Sequence, residues 1–151
     1  MTPENSLENQ KSRPDRPLIA VVDDDASFLR SVGRLLRSVG YVVETFGSAR
    51  QFLSSLPASP PRCLVLDVHM PEMTGPQLQE YLAAQGYCVP AIFVTAYDTL
   101  QTREHARRVG AVGFLLKPFD KQGLLQAIQV AIEHQPEVSG GEDQRPSRTD
   151  P

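Results

Sequence analysis

Four places in this sequence set a charged or hydroxyl side chain directly after a short apolar run. Val21-Val22 leads into Asp23, Asp24 and Asp25, Val65-Leu66 into Asp67, Phe93-Val94 into Thr95, and Leu115-Leu116 into Lys117. Carboxylates crowded together resist ionising side by side. A hard divalent cation relieves that repulsion, and Mg2+ favours a few carboxylates together with waters and phosphate oxygens. Asp23 or Asp24, with Asp67, therefore reads as a Mg2+ cradle. A phosphoryl group arriving there needs its charge spread over oxygens that meet cations and hydrogen-bond donors. The metal meets one oxygen, the ammonium of Lys117 suits another as a point charge, and the Thr95 hydroxyl can donate to the last. Asp67 is then a nucleophile of the covalent-carboxylate kind, forming an acyl phosphate. Aspartates after a strand also serve simply to cap the next helix, and Asp25, just before Ala26-Ser27-Phe28, reads as such a cap or a spectator. Thr95 or Lys117 alone would mean little; their convergence on one edge is the signal.

Convergence of that kind needs strands that end side by side. Leu18 to Val22 is a continuous apolar run, which suits a strand buried on both faces. Phe28, Val32, Leu35, Leu36 and Val39 repeat at helical spacing, and Gly40 fits the residue just past that helix. Residues 41–46, β-branched and aromatic, predict a second strand. Ser48 fits the N-cap of a short helix carrying Phe52 and Leu53 and closed by Pro57. A proline-containing loop, 57–61, leads to a third strand over 63–66. Pro76 suits the first turn of a third helix, with Leu78 and Leu82 inward and Gly86 at its end. Val89 to Val94 predicts a fourth strand, 98–109 a polar and basic helix, and 112–116 a fifth strand. A last helix, 121–134, would bury Leu124, Leu125, Ile128 and Ile132. Strands alternating with helices imply an α/β fold, a parallel sheet covered on both faces with right-handed crossovers. Ligands in such a sheet bind outside the carboxyl ends of the strands. Strand order does not follow from periodicity; the doubly wound order 2-1-3-4-5 is one candidate. Pro118 imposes an extended or turn backbone on Lys117, and the Lys117-Pro118 bond suits a cis peptide.

The chain of 151 residues fits one domain. The expected division is a disordered leader over 1–16, a domain over 17–135 and a disordered polar tail over 136–151. A net charge of −3 with no basic run and few aromatics argues against a nucleic-acid surface as the main activity. No apolar segment approaches the roughly 20 residues that span a bilayer, and the leader lacks the apolar core of a secretory signal. A cytoplasmic protein with no membrane partner is expected. Cys63 and Cys88 have neither zinc nor redox spacing and read as reduced, partly buried thiols.

The segments Val-Val-Asp23-Asp24-Asp25, Leu-Asp67-Val-His-Met-Pro71-Glu-Met-Thr-Gly75, Val-Thr95-Ala96 and Leu-Leu-Lys117-Pro118-Phe119 resemble, in order and spacing, the receiver domain of bacterial two-component response regulators. The resemblance covers about residues 17–135, and the wording around Asp67 is most similar to the nitrogen-fixation regulator subgroup. It implies a five-stranded parallel sheet of order 2-1-3-4-5 in a flavodoxin-like receiver fold. It implies an acidic pocket of Asp23 and Asp24, with Asp24 the direct Mg2+ ligand, Asp67 the phosphorylated residue, and the backbone carbonyl of His69 a further metal ligand. Thr95 would be the switch hydroxyl and Lys117 the phosphate-pairing cation. Ala96, being small, would leave access for a phosphodonor. Phe114 would be the switch aromatic that turns inward as Thr95 moves; without the resemblance it reads as a plain core aromatic. The side chains of His69 and Tyr97 would stand at the site mouth, either obstructing or guiding hydrolytic water or lying as solvated surface residues.

The expected protein is a phosphorylation-controlled switch that acylates itself from a sensor histidine kinase or a small phosphodonor and acts on no outside substrate. It would signal by protein contact through the face of helix four, strand five and helix five, reaching a downstream protein target or a second copy as a homodimer. Helix four, with Arg103, Arg107 and Arg108 exposed, is either a mobile partner-binding element or a solvated face. A helix-turn-helix domain does not fit after residue 135, so a stand-alone receiver with no direct nucleic-acid contact is expected. The alternative is a receiver fragment of a DNA-binding transcription regulator. An aspartyl phosphatase or phosphotransferase on a related α/β fold is a further alternative. Such enzymes usually carry an acid two positions after the nucleophile, where this chain has His69.

Overall fold

Five strands, β1 (Leu18–Val22), β2 (Val42–Phe46), β3 (Cys63–Asp67), β4 (Ala91–Thr95) and β5 (Gly113–Leu116), form one parallel sheet in the order β2-β1-β3-β4-β5. They alternate with helices α1 (Ala26–Ser38), α2 (Ala49–Ser54), α3 (Gly75–Ala84), α4 (Leu100–Arg108) and α5 (Lys121–Glu133). The structure is a computed structural model and describes residues 17–56 and 60–133. The leader and tail, Pro57 and His134 lie outside the described residues. The expected alternation and the doubly wound order are both present.

Period-two alternation along the strands divides the core into two layers. Ala20, Val22, Leu64, Leu66 and Phe93 face one side, where Phe52 of α2, Leu78 and Leu82 of α3 and Ala106 of α4 cover them. Ile19, Val21, Val65, Ile92 and Val94 face the other, against Val32 and Leu36 of α1 and Leu124 and Ile128 of α5. Each fully buried Leu, Ile or Phe contributes about 1.5–3 kcal/mol of transfer free energy. These layers therefore hold the strand tips in place. β3 and β4 are buried at every position, whereas the edge strands β2 and β5 are partly exposed. The tip residues of β3 and β4 thus sit at the middle of the sheet edge.

Some boundaries differ from the sequence reading. Val39 is the C-cap of α1 and half exposed rather than part of its buried stripe. Gly40 follows at φ 105°, the left-handed geometry expected of it. Tyr41 lies in the turn before β2, its N–H donating to the Leu36 carbonyl at 3.1 Å. β4 begins at Ala91 because Pro90, next to it, has no N–H for the ladder. Leu125 and Ile132 are only partly buried, and Ala131 takes a core position instead. Cys63 is buried as expected, but Cys88 is exposed: its neighbour Val89 turns inward and takes the buried position. The Lys117–Pro118 peptide is cis.

The turn after β3 brings α3 hard against the site. The Gly75 N–H donates to the Val68 carbonyl at 3.0 Å. A Cβ at Gly75 would run into the Asp67 carbonyl oxygen and press on the Phe93 ring. Thr74 and Gln77 close the helix start with a reciprocal capping box. Glu72 has φ 72°, while the Met73 N–H donates to the Pro71 carbonyl at 2.7 Å across it. A positive φ bridged by this i→i+2 hydrogen bond is the γ-turn form that is strained for a residue with a Cβ and open to Gly. Gly75→Ala is expected to destabilise the fold by about 1–3 kcal/mol, and Glu72→Gly to stabilise it by about 0.5 kcal/mol. Urea unfolding of the two variants checks both signs.

Candidate functional site

Strand register decides which tips become neighbours. Val22 pairs with Leu66, Asp67 with Val94, and Thr95 with Leu116. Asp23, Asp67, Thr95 and Lys117 are thereby brought to one edge. The Asp23 backbone is held by its N–H donating to the Phe46 carbonyl at 3.0 Å. Its side chain is fully buried and twice engaged: Oδ1 accepts the Asp25 N–H at 2.9 Å and Oδ2 accepts Lys117 Nζ at 2.8 Å. The same ammonium stands 3.6 Å from Asp67 Oδ1. Asp24 is exposed at the rim, and one oxygen from each of Asp23, Asp24 and Asp67 lies within 4.8 Å of the others. Asp25 points away and caps α1, accepting the N–H groups of Ser27 and Phe28 at 3.0 and 3.3 Å.

The electrostatics follow from three carboxylates facing one ammonium. Burial, then the charge of Asp23, pushes the Asp67 carboxyl up to about 7, with Asp24 adding to the rise and Lys117 opposing it. Burial alone would lower the Lys117 ammonium, but the hydrogen bond to Asp23 and the charges of Asp67 and Asp23 outweigh it and raise it. The lysine thus stays charged while the acidic cluster remains under-compensated. An all-oxygen donor set with excess negative charge, whose central carboxylate is costly to ionise alone, fits a hard divalent cation. Asp23, Asp24 and Asp67 are the residues that could hold one.

Thr95 is fully buried at the tip of β4, but its hydroxyl is engaged within its own loop. Oγ1 accepts the Tyr97 N–H at 3.0 Å and donates to the Tyr97 carbonyl at 3.2 Å. Exposed Ala96 borders a groove of about 800 Å3 that also includes Lys117. The exposed rings of His69 and Tyr97 meet edge to face, 5.6 Å between centroids. Phe114 lies half-buried against the core layer that holds Leu64, Leu66 and Phe93. The Arg103 guanidinium sits 4.6 Å from its ring centre and forks onto Asp98 at 2.6 and 3.1 Å. Arg103, Arg107 and Arg108 are exposed, as expected of α4, but Arg103 is committed to Asp98 and Phe114, and Arg107 lies 3.6 Å from Glu104.

Two contacts have no signal in the sequence. One is the Asp98–Arg103–Phe114 chain. The other is Phe28, whose position in a helical apolar stripe suggested only core, yet whose ring centre lies 4.3 Å from Lys117 Nζ.

The family described as response regulator receiver domain matches residues 19–129. The response regulator protein TodT of Pseudomonas putida is 39% identical over 120 residues, 80% of this chain and 53% of that protein. The transcriptional regulatory protein FixJ of Bradyrhizobium diazoefficiens is 38% identical over 114 residues, 76% of this chain and 56% of that protein. The chain thus spans a little over half the length of these relatives. The crystal structure of FixJ-N superposes with a TM-score of 0.75 at 30% identity, covering 81% of this chain and 98% of that one. No helix of the described residues is long and apolar enough to cross a membrane.

The strained carboxylate has a measurable cost. Between 3.8 and about 7 the folded protein holds the Asp67 proton more tightly than the unfolded chain does. Stability contributed by this group is therefore present at low pH and lost as pH rises through that window, by up to about 4 kcal/mol. In metal-free buffer, urea unfolding of the native protein should show this slope, and Asp67→Asn should flatten it and be the more stable protein at pH values above the window.

Proposed function

The chain belongs to the response regulator receiver domain family, and from that premise we propose that it is a phosphorylation-controlled switch of a two-component system with Asp67 as acceptor. The observation that carries this is the buried Asp67 carboxylate at the sheet edge, facing the Lys117 ammonium at 3.6 Å and crowded by Asp23 and Asp24. A carboxylate oxygen of Asp67 attacks the phosphorus of a phosphohistidine on a sensor histidine kinase. A P–O bond forms, the P–N bond breaks, and its electron pair returns to the imidazole nitrogen. Lys117, anchored by Asp23, turns its free donor from Asp67 to a phosphoryl oxygen. Asp24, Asp67 and the His69 backbone carbonyl would hold Mg2+, with Asp23 completing the acidic pocket, and the ion would supply neutralising charge to the phosphoryl oxygens. Ala96 leaves the donor a path. The side chains of His69 and Tyr97 stand where they obstruct or guide water, and so set the lifetime of the acyl phosphate.

The added charge, about −2 near neutral pH, draws the Thr95 hydroxyl from Tyr97 to the phosphoryl group. The loop 96–98 follows, and Phe114 turns inward. The output is a rearranged surface over α4, β5 and α5, where Leu100, Val112, Leu116 and Val130 already expose apolar area. A downstream protein or a second copy of the chain binds there. Residues 17–135 form the receiver, working in the cytoplasm, with catalysis limited to its own phosphorylation and dephosphorylation. One observation favours a second reading of the output. Relatives named transcriptional regulatory proteins extend well beyond the matched segment, which is 56% of the Bradyrhizobium diazoefficiens FixJ, and that suits a receiver that controls a DNA-binding partner domain.

Incubation with phosphoramidate and Mg2+ should add one phosphate-sized mass, absent in Asp67→Asn. Lys117→Met should slow the gain roughly 100-fold. Thr95→Ala should still be phosphorylated but fail to shift the amide resonances of α4. A mass gain that persists in Asp67→Asn rejects the assignment.

A further inference from the structure

The Lys117 ammonium presents N–H donors to three sides. Two sides face carboxylates, Asp23 Oδ2 at 2.8 Å and Asp67 Oδ1 at 3.6 Å. The remaining side faces the ring of Phe28, whose centre lies 4.3 Å from Nζ. Phe28 is itself held. Its N–H is capped by Asp25 at 3.3 Å, and Phe119 abuts its ring edge-on, 6.0 Å between centroids at 89°. Both rings border the groove of about 800 Å3 through which Lys117 meets solvent, and the lysine side chain is only 21% exposed.

We infer that Phe28 is a positioning residue for the phosphoryl transfer: its ring face holds the Lys117 ammonium so that the free donor stays aimed at Asp67. An aromatic face attracts an ammonium electrostatically. An aliphatic side chain of similar bulk fills the same space without that attraction. With the ring removed, groove water reaches the ammonium and competes with Asp67 and with the oxygens of an incoming phosphoryl group. The inference rests on Asp67 being the acceptor, which the wild-type control tests separately.

The experiment compares phosphorylation rates of the full chain by phosphoramidate in excess Mg2+ for the wild type, Phe28→Leu and Phe28→Tyr. Phe28→Leu should react three- to tenfold more slowly, on the order expected for loss of one such contact, and Phe28→Tyr should keep the wild-type rate to within about twofold. In the wild type and Phe28→Tyr, the Lys117 side-chain methylene protons should be displaced upfield by the ring, and Phe28→Leu should abolish the displacement. Should Phe28→Leu fail to fold, the wild-type displacement and the Phe28→Tyr rate still decide. Equal rates for the wild type and Phe28→Leu, a Phe28→Tyr rate threefold or more below the wild type, or unshifted wild-type Lys117 protons would each overturn the role of Phe28. A wild type that gains no phosphoryl group overturns the acceptor assignment, and the inference with it.

Discussion

The sheet edge gathers more negative charge than it can neutralise, and the rest of the structure is arranged around that imbalance. Asp23 is buried but satisfied, with the Asp25 amide on one oxygen and Lys117 on the other. Asp67 receives only the far side of the same ammonium, at 3.6 Å, and its carboxyl is pushed up to about 7. Two aspartates at adjacent strand tips therefore differ in kind. One anchors a cation; the other is left short of positive charge. A hard metal or a phosphoryl group with its counter-charges would gain most at Asp67. The cost of holding this arrangement falls on the two apolar layers, which fix the strand tips and leave the carboxylates little room to separate.

From Thr95 a line of contacts runs outward to the face proposed for output. The Thr95 hydroxyl is tied to Tyr97, Asp98 is forked by Arg103, and Arg103 rests on Phe114. The hydrogen bond from Arg103, with its positive charge, holds the Asp98 carboxyl below its usual range. These outer contacts are exposed, and such pairs are individually weak. Weak contacts suit a two-state element that a single charged group must tip.

The layout of the sheet was legible because its signal is local. Apolar runs ending in a charged or hydroxyl residue marked β1, β3, β4 and β5 and placed Asp23, Asp67, Thr95 and Lys117 at their ends. Cap residues marked the helix starts at Ser48 and Asp25. Strand order was legible only through the family resemblance, since pairing depends on which helix crosses which face. Side-chain direction near boundaries was not legible. Val39 continues the helical spacing of α1 yet becomes its exposed cap, and Cys88 loses the buried position to Val89. The partners of Phe28 and Arg103 were not legible either. Phe28 fits the core stripe of α1 by spacing alone, and only the folded path of the β5–α5 loop brings Lys117 over its ring. The sequence marks Thr95 as a donor to phosphate, but its engagement with Tyr97 depends on a turn that the sequence does not mark.

The central claim is that one carboxylate, Asp67, takes the phosphoryl group. Borohydride reduction converts an acyl phosphate to an alcohol, so treating the phosphorylated protein and mapping its peptides locates the acceptor directly. The account predicts reduction at Asp67, with Asp23, Asp24 and Asp25 unaltered. Reduction at any of those three instead, or phosphorylated protein that carries no reducible aspartate, would contradict it.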